Sequence, residues 1–140
     1  HDMNRFYPGR AKGYLTERIA DEHKSLLVSV ADMEMTFHSG GNICYLGETI
    51  FTGTGDDKSF ELARAMGPDW KILLDTPRAA GSPMAAMIEE GKASITVELG
   101  GAAATMPGDF RRNVDVLKRS VVNVLRHYDM IEGKAERTTN

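Results

Sequence analysis

One stretch of eight residues, 94–101, constrains the fold of this chain most strongly. It reads Ser-Ile-Thr-Val-Glu-Leu-Gly-Gly, so an apolar, β-branched run leads into Glu98 and then into two glycines. A run such as 93–97 is typical of a strand that is buried on both faces. A carboxylate where such a strand ends is costly unless it has a partner or a function. From this stretch alone, a functional Glu98 and a surface glutamate in a turn both remain open.

Composition limits the class of protein. A length of 140 residues, with 26% charged and 41% apolar residues, suits one globular domain. The net charge of −3 argues against nucleic acid or an anionic membrane surface as the main partner. No apolar run approaches the roughly 18 residues of a membrane span. The single cysteine, Cys44, excludes an internal disulfide and favours a cytoplasmic setting, and its apolar neighbours predict a packed thiol.

Periodicity along the chain predicts alternating helices and strands. We expect helices over 16–30, after Asp56 or Asp57, after Ser82-Pro83, and from Asp109 to about Tyr128. Strands are expected over 31–38, 70–74 and 93–97. Between them, the glycine-rich segment 40–55 predicts two short strands joined by a hairpin turn at Gly47-Glu48.

Strands that are separated by helices imply βαβ units. We therefore predict an α/β fold with a mostly parallel sheet flanked by helices. Residues 1–132 would form one unit of structure, and 133–140 a polar tail.

Two predicted strands end in the same way. One ends in His38 before Gly40 and Gly41, and the other ends in Glu98 before Gly100 and Gly101. Because ligands bind at the carboxyl ends of strands in open α/β sheets, His38 and Glu98 are candidates for one shared cleft. Histidine is a common metal ligand, and a nearby glutamate can act as general base on metal-bound water. Two unrelated polar residues at strand ends remain the alternative.

Three segments, 2–9, 37–41 and 91–101, resemble the succinylglutamate desuccinylase/aspartoacylase family. They contain Asp-Met-Asn-Arg-Phe-Tyr-Pro-Gly, Phe-His-Ser-Gly-Gly and Ile-Thr-Val-Glu-Leu-Gly-Gly, in the family's order and across most of the chain. The resemblance implies a zinc carboxypeptidase-like fold and a zinc-dependent amidohydrolase that removes an acyl group from an N-acyl amino acid. The Ser82-Pro83 helix and the long last helix are most similar to the branch with ectoine-pathway deacetylases.

The resemblance also implies a role for each matched residue. His38 is expected to be the third zinc ligand, and Glu98 the general base on zinc-bound water. Asn4 and Arg5 are expected to bind the substrate carboxylate, a task that suits the planar fork of arginine. Glu98 would then return the proton to the leaving amine.

The sequence departs from the family pattern at three points. No His-x-x-Glu motif, which supplies the first two zinc ligands, occurs in the 140 residues. The family has an aspartate two residues before the histidine, and here that position is Thr36. Glu34 and Asp32, on the same strand face, are the candidates to take its place. The β-rich C-terminal domain has no counterpart. The expectation is therefore an incomplete catalytic domain, a fragment that by itself is inactive and binds zinc weakly, with the remaining ligands outside this chain.

Three questions stay open from the sequence. The function alternatives are a carboxypeptidase-like peptidase and a non-catalytic carboxylate-binding module of the same fold. Arg78 and Ser82 either face a substrate or are a solvated arginine and a helix cap. Neither the acyl group nor the presence of a homo-oligomer is determined.

Overall fold

The computed structural model describes residues 2–77, 80–101 and 107–137. A short 3-10 helix, Met3–Arg5, comes first, and we refer to it as the 3-10 turn. The helices are α1 (Leu15–Val30), α2 (Asp57–Ala65), α3 (Pro83–Glu89) and α4 (Pro107–His127). The strands are β1 (Met33–His38), β2 (Tyr45–Gly53), β3 (Ile72–Thr76) and β4 (Ala93–Gly101).

The four strands form one mixed sheet in the order β1-β4-β2-β3. β1 pairs with β4 and β2 pairs with β3 in parallel, whereas β2 and β4 are antiparallel. Two of the three pairings are therefore parallel, and helices flank the sheet. This confirms the predicted α/β fold with a mostly parallel sheet.

The predicted hairpin at Gly47-Glu48 is wrong. Residues on both sides of it belong to one strand, β2, which pairs with β4 through Leu46 opposite Gly100 and Thr49 opposite Glu98. Gly47 and Glu48 thus lie opposite the single residue Leu99, which is the arrangement of a β-bulge. The glycine bends the strand without reversing it, because β4 offers a partner on both sides of the bulge.

β4 is longer than predicted and has two unlike faces. It continues to Gly101, so Glu98 lies three residues before its end rather than at the end. Ile95 and Val97 are fully buried on the face that packs against α2 and α4. Side chains alternate along a strand, so Thr96 and Glu98 lie on the opposite face, where Thr96 contacts Met84 of α3. Ser94 on this second face is also fully buried, which confirms the expected burial of 93–97 on both faces, although one face is apolar and the other carries polar side chains.

The helical spacing of apolar residues predicts that α1 packs through one stripe, and the structure buries a different side of the helix. The stripe consists of Leu15, Ile19, Leu26, Leu27 and Val30. Leu15 is 70% and Val30 is 72% exposed, whereas Glu17 and Ala20 are buried. Ala20 packs in a small cluster with Tyr7 and Ala86 of α3. The small alanines allow close approach of α1 to α3, and Glu17 is buried because it has hydrogen-bond partners.

The main core lies between the sheet and helices α2 and α4. Its buried members are three alanines (Ala63, Ala65 and Ala93) and the larger residues Ile50, Leu62, Met66, Trp70, Ile95, Val97, Leu99, Val116 and Val124. Helix α4 begins at Pro107, two residues before the predicted start at Asp109. After α4, Asn123 makes hydrogen bonds with the backbone of Glu136. Residues 138–140 of the predicted tail lie outside the described residues.

Two further expectations concern Cys44 and membrane-spanning helices. Cys44 is exposed, so the prediction of a packed thiol is wrong. Cys44 and its neighbour Ile43 both lie in the exposed loop before β2, so Ile43 does not cover the thiol. None of the described helices has both the length and the apolar character for crossing a membrane.

Candidate active site

His38 and Glu98 lie side by side on neighbouring strands. His38 is the last residue of β1 and is the register partner of Glu98 in the parallel pair of β1 and β4. Register partners of parallel strands present their side chains on the same face of a sheet. The structure therefore brings together the two residues that the sequence analysis selected, although only His38 is at a strand end.

The 3-10 turn places Asn4 against His38. The Asn4 Nδ2 atom lies 3.1 Å from His38 Nε2. The Asp2 carboxylate accepts a hydrogen bond from the Asn4 backbone N–H at 3.0 Å, which caps the turn. The Tyr7 N–H donates to the Gly81 carbonyl at 3.0 Å and so fastens the turn to the loop before α3.

The close contact between this loop and the 3-10 turn requires a glycine at position 81. Its φ angle of +83° is unfavourable for other residues. A Cβ atom at this position would also lie 2.6 Å from the Arg5 carbonyl oxygen. The close approach of the loop to the 3-10 turn therefore excludes a side chain.

One cleft of about 390 Å³ contains all four predicted site residues. Its lining includes Asn4, Arg5, His38 and Glu98, together with Asp2, Phe51, Thr76, Ser82, Pro83, Met84 and Thr96. Arg5 is exposed at the cleft, and its guanidinium donates to the Asn4 carbonyl at 2.9 Å. Arg5 also lies 3.8 Å from the Asp2 carboxylate, so one side of the cleft carries a paired cation and the other side an imidazole and a carboxylate.

Glu98 has an unusual electrostatic environment. Its Oε2 atom is buried and has no hydrogen-bond partner among the described residues. Burial raises the pKa of the Glu98 carboxyl above its usual value, and the nearby His38 opposes that rise. A carboxylate with a raised pKa is a better proton acceptor than an ordinary glutamate, which suits a general base.

The double glycines bring the two strand ends together. The Gly40 N–H donates to the Gly100 carbonyl at 3.2 Å. A Cβ atom at Gly101, where φ is +116°, would overlap the backbone of Gly40 and Cys44. The glycines therefore allow the backbone that follows β1 to contact the backbone at the end of β4.

The structure also shows what surrounds Thr36. Thr36 and Ser94 both donate hydrogen bonds from their hydroxyl groups to the Glu34 carboxylate. Glu34 is thus occupied by these two hydroxyls, and Asp32 lines a different groove with Met33 and Asp57. In the described part of the chain, the His38 ring is hydrogen-bonded to Asn4 and not to either acidic residue.

Sequence reasoning missed several residues of the cleft. Thr96 was detectable, because it lies two positions before Glu98 and so shares its strand face. Phe51 of β2 and Thr76 of β3 also line the cleft, and nothing in the neighbouring sequence indicates this position. Ser82 lines the cleft, and its Oγ atom also caps α3 by accepting from the Ala85 N–H at 3.1 Å. Arg78 lies outside the described residues.

The described residues do not by themselves complete a zinc site. A catalytic zinc ion takes about three protein ligands, drawn from histidine, carboxylate and thiolate groups. His38 is suitable as one of them. Within 2–77, 80–101 and 107–137, however, no group of three or more His, Cys, Asp or Glu side chains could hold a metal ion.

A family model and a known protein both match this chain over most of its length. Residues 1–128 match the family model of the succinylglutamate desuccinylase/aspartoacylase catalytic domain. The chain is 29% identical to an N-alpha-acetyl-L-2,4-diaminobutyric acid deacetylase from Halomonas elongata, over 96% of this chain and 40% of that protein.

Two solved structures have the same fold over nearly the whole chain. The product-bound ectoine utilization protein EutE (DoeB) from Ruegeria pomeroyi is 30% identical with a TM-score of 0.81, over 97% of this chain and 42% of that one. A succinylglutamate desuccinylase from Silicibacter sp. TM1040 is 28% identical, again with a TM-score of 0.81, over 97% and 42%. The chain therefore spans about two fifths of the length of these relatives.

Proposed function

Because the chain belongs to the succinylglutamate desuccinylase/aspartoacylase family, we propose that it forms the core of an amidohydrolase that removes an acyl group from an N-acyl amino acid. Relatives that match it carry the names of a deacetylase and a desuccinylase. The observation that supports the proposal most strongly is Glu98, whose Oε2 atom is buried beside His38 and has no hydrogen-bond partner among the described residues. Such a group is costly in a fold unless it serves a function.

Glu98 is the proposed general base. It takes a proton from the water that attacks the acyl carbonyl and later donates this proton to the nitrogen of the departing amino acid. Its raised pKa favours both halves of this transfer, since the carboxylate accepts the proton readily and the protonated form persists until the amine leaves.

Asn4 and Arg5 are the proposed binding residues for the substrate carboxylate. The Arg5 guanidinium is exposed at the cleft, where it can pair with a carboxylate through two parallel hydrogen bonds. Holding the amino acid by its carboxylate places the amide bond at a fixed distance from Glu98, which lowers the entropic cost of reaction.

Zinc is the proposed cofactor, with one ion per site and His38 as the ligand that this chain offers. When bound, zinc would supply Lewis-acid polarisation of the carbonyl and a lowered pKa of water. Because no His-x-x-Glu motif occurs in the 140 residues and the described residues supply no complete ligand set, we propose that the other ligands lie outside this chain.

A substrate panel tests the proposal. The protein that carries this chain is supplied with zinc and incubated separately with Nα-acetyl-L-2,4-diaminobutyrate, N-succinyl-L-glutamate and an unblocked tripeptide, and the products are followed by mass spectrometry. We expect release of acetate or succinate and no cleavage of the tripeptide. Preferred cleavage of the tripeptide would favour a carboxypeptidase-like peptidase, and binding of the acyl amino acids without turnover would favour a carboxylate-binding module.

A further inference from the structure

The β-bulge of β2 lies directly beside Glu98. Thr49, the first residue after the bulge, is the register partner of Glu98. The bulge residue Glu48 forms an ion pair with Arg112 of α4. We propose that this ion pair holds the bulge and thereby sets the position of Glu98, so that Glu48 and Arg112 are positioning residues for the reaction. The inference rests on the proposed function for the role of Glu98 alone.

The position of Glu98 depends on the strands around it rather than on a hydrogen bond at its buried oxygen. Its Oε2 atom has no hydrogen-bond partner among the described residues. The backbone at Glu98 is paired on one side with His38 of β1 and on the other side with Thr49 of β2. The pairing of β2 with β4 is therefore one of the two contacts that decide where the carboxylate lies.

Without the bulge, β2 would present different side chains to the cleft. A regular ladder that kept the observed pairing at the end of β4 would place Glu48 opposite Glu98. It would also pair Phe51 with Ile95 of the core and so remove Phe51 from the cleft. Like charges directly opposite each other on two strands repel. The bulge thus separates two carboxylates and keeps Phe51 on the side of Glu98.

The contacts of Glu48 favour the bulged pairing. Its side chain is only 14% exposed, and a carboxylate buried to this extent is costly without a partner, which here is Arg112. The Glu48 carbonyl accepts a hydrogen bond from the Lys71 N–H at 3.1 Å, which connects the bulge to the segment before β3. Arg112 therefore stabilises the register in which Glu48 pairs with α4 over the register in which it faces Glu98.

Helix α4 also contacts β4 beside the bulge. A Cβ atom at Gly100 would lie 2.4 Å from the Nδ2 atom of Asn113, which follows Arg112 in the helix. The helix thus contacts β2 through Arg112 and β4 through Asn113. Because α4 packs on the core face of the sheet, the ion pair draws Glu48 away from the cleft.

Crystal structures of the protein that carries this chain test the proposal without an activity assay. Arg112→Glu replaces the attraction at Glu48 with repulsion, and we expect the Glu98 carboxylate to move by about 1 Å or more relative to His38. Arg112→Leu removes the attraction without adding a like charge and should also displace Glu98. The double variant Glu48→Gln/Arg112→Glu removes the repulsion and should restore the wild-type position. Arg111→Glu makes the same charge change at the exposed preceding residue and should leave Glu98 in place.

Steady-state kinetics with zinc and Nα-acetyl-L-2,4-diaminobutyrate give a second readout. We expect Arg112→Glu to lower kcat by about 10- to 100-fold and to change KM by under about threefold, because the change misplaces the base and leaves the carboxylate-binding residues intact. Arg112→Lys keeps the charge and should retain most of the wild-type kcat. An unmoved Glu98 in both Arg112→Glu and Arg112→Leu would overturn the proposal, whatever the activity of the protein. Wild-type turnover by Glu98→Gln would instead overturn the proposed function, and the crystal structures would still decide whether the ion pair positions Glu98.

Discussion

At the scale of single residues, a buried hydrogen bond joins Trp70 to Ser120, and a small substitution removes it. Trp70 is 1% exposed, and its Nε1–H donates to Ser120 Oγ at 2.8 Å. Ser120→Ala removes this hydrogen bond and little packing. Because a typical intramolecular hydrogen bond contributes about 0.5–1.5 kcal/mol net, we expect a loss of that size in the free energy of unfolding.

Urea unfolding, followed by the fluorescence of the single tryptophan, measures this effect. The matched control is Ser25→Ala on the exposed side of α1, which should change the free energy of unfolding by under about 0.5 kcal/mol. Equal unfolding midpoints for Ser120→Ala and wild type would contradict the prediction.

The residues of the candidate site differ in how far the sequence reveals them. That His38 and Glu98 share a cleft was predictable, because each lies on a predicted strand two positions before a pair of glycines. The contact between Asn4 and His38 was not, since it joins residues 34 positions apart through a turn. Thr36 illustrates the same limit: the sequence shows that it is near Glu34, but not that Ser94 bonds to the other oxygen of the same carboxylate.

At the scale of elements, the beginning of α1 depends on one buried carboxylate. The hydrogen bond from the Tyr14 backbone N–H holds the pKa of Glu17 below its usual value, and the Arg10 side chain adds to this effect. Because the folded-state pKa is lowered, Glu17 stabilises the fold above the ordinary glutamate pKa near 4.5, and this contribution is lost as the pH falls through the folded-state value.

Glu17→Gln should therefore lower stability at pH 7 and flatten the loss of stability on acidification. Thermal unfolding of both proteins from pH 7 to pH 3 gives the comparison. Glu22→Gln, at an exposed position of the same helix, serves as the control. Parallel pH profiles for Glu17→Gln and wild type would show that the carboxylate makes no such contribution.

Two elements show why local patterns mislead. Gly47 suggests a hairpin turn, but the segment 45–53 pairs with β4 as one strand that contains a bulge. The apolar spacing of α1 predicts the helix correctly. It predicts the wrong buried side, because α1 packs against α3 through Ala20. In both cases the partner element decides the outcome, and the partner is distant in the sequence.

At the scale of the whole molecule, the cleft is assembled from separate parts of the chain. The 3-10 turn contributes Asn4 and Arg5, β1 contributes His38 and β4 contributes Glu98. The predicted α/β class followed from the alternation of helices and strands. The antiparallel pairing of β2 with β4 did not follow, because nothing local in either strand specifies the direction of its neighbour.

The central claim is that Glu98 is the proton-transferring base of a deacylase, and the kcat of Glu98→Gln tests it most directly. Glutamine preserves the shape of the side chain but cannot accept the proton. In the protein that carries this chain, supplied with zinc and Nα-acetyl-L-2,4-diaminobutyrate, we expect kcat to fall by about 100-fold or more with the unfolding temperature preserved. Glu89→Gln, on the exposed end of α3, should retain wild-type kcat. A Glu98→Gln protein that turns over at the wild-type rate would contradict the account.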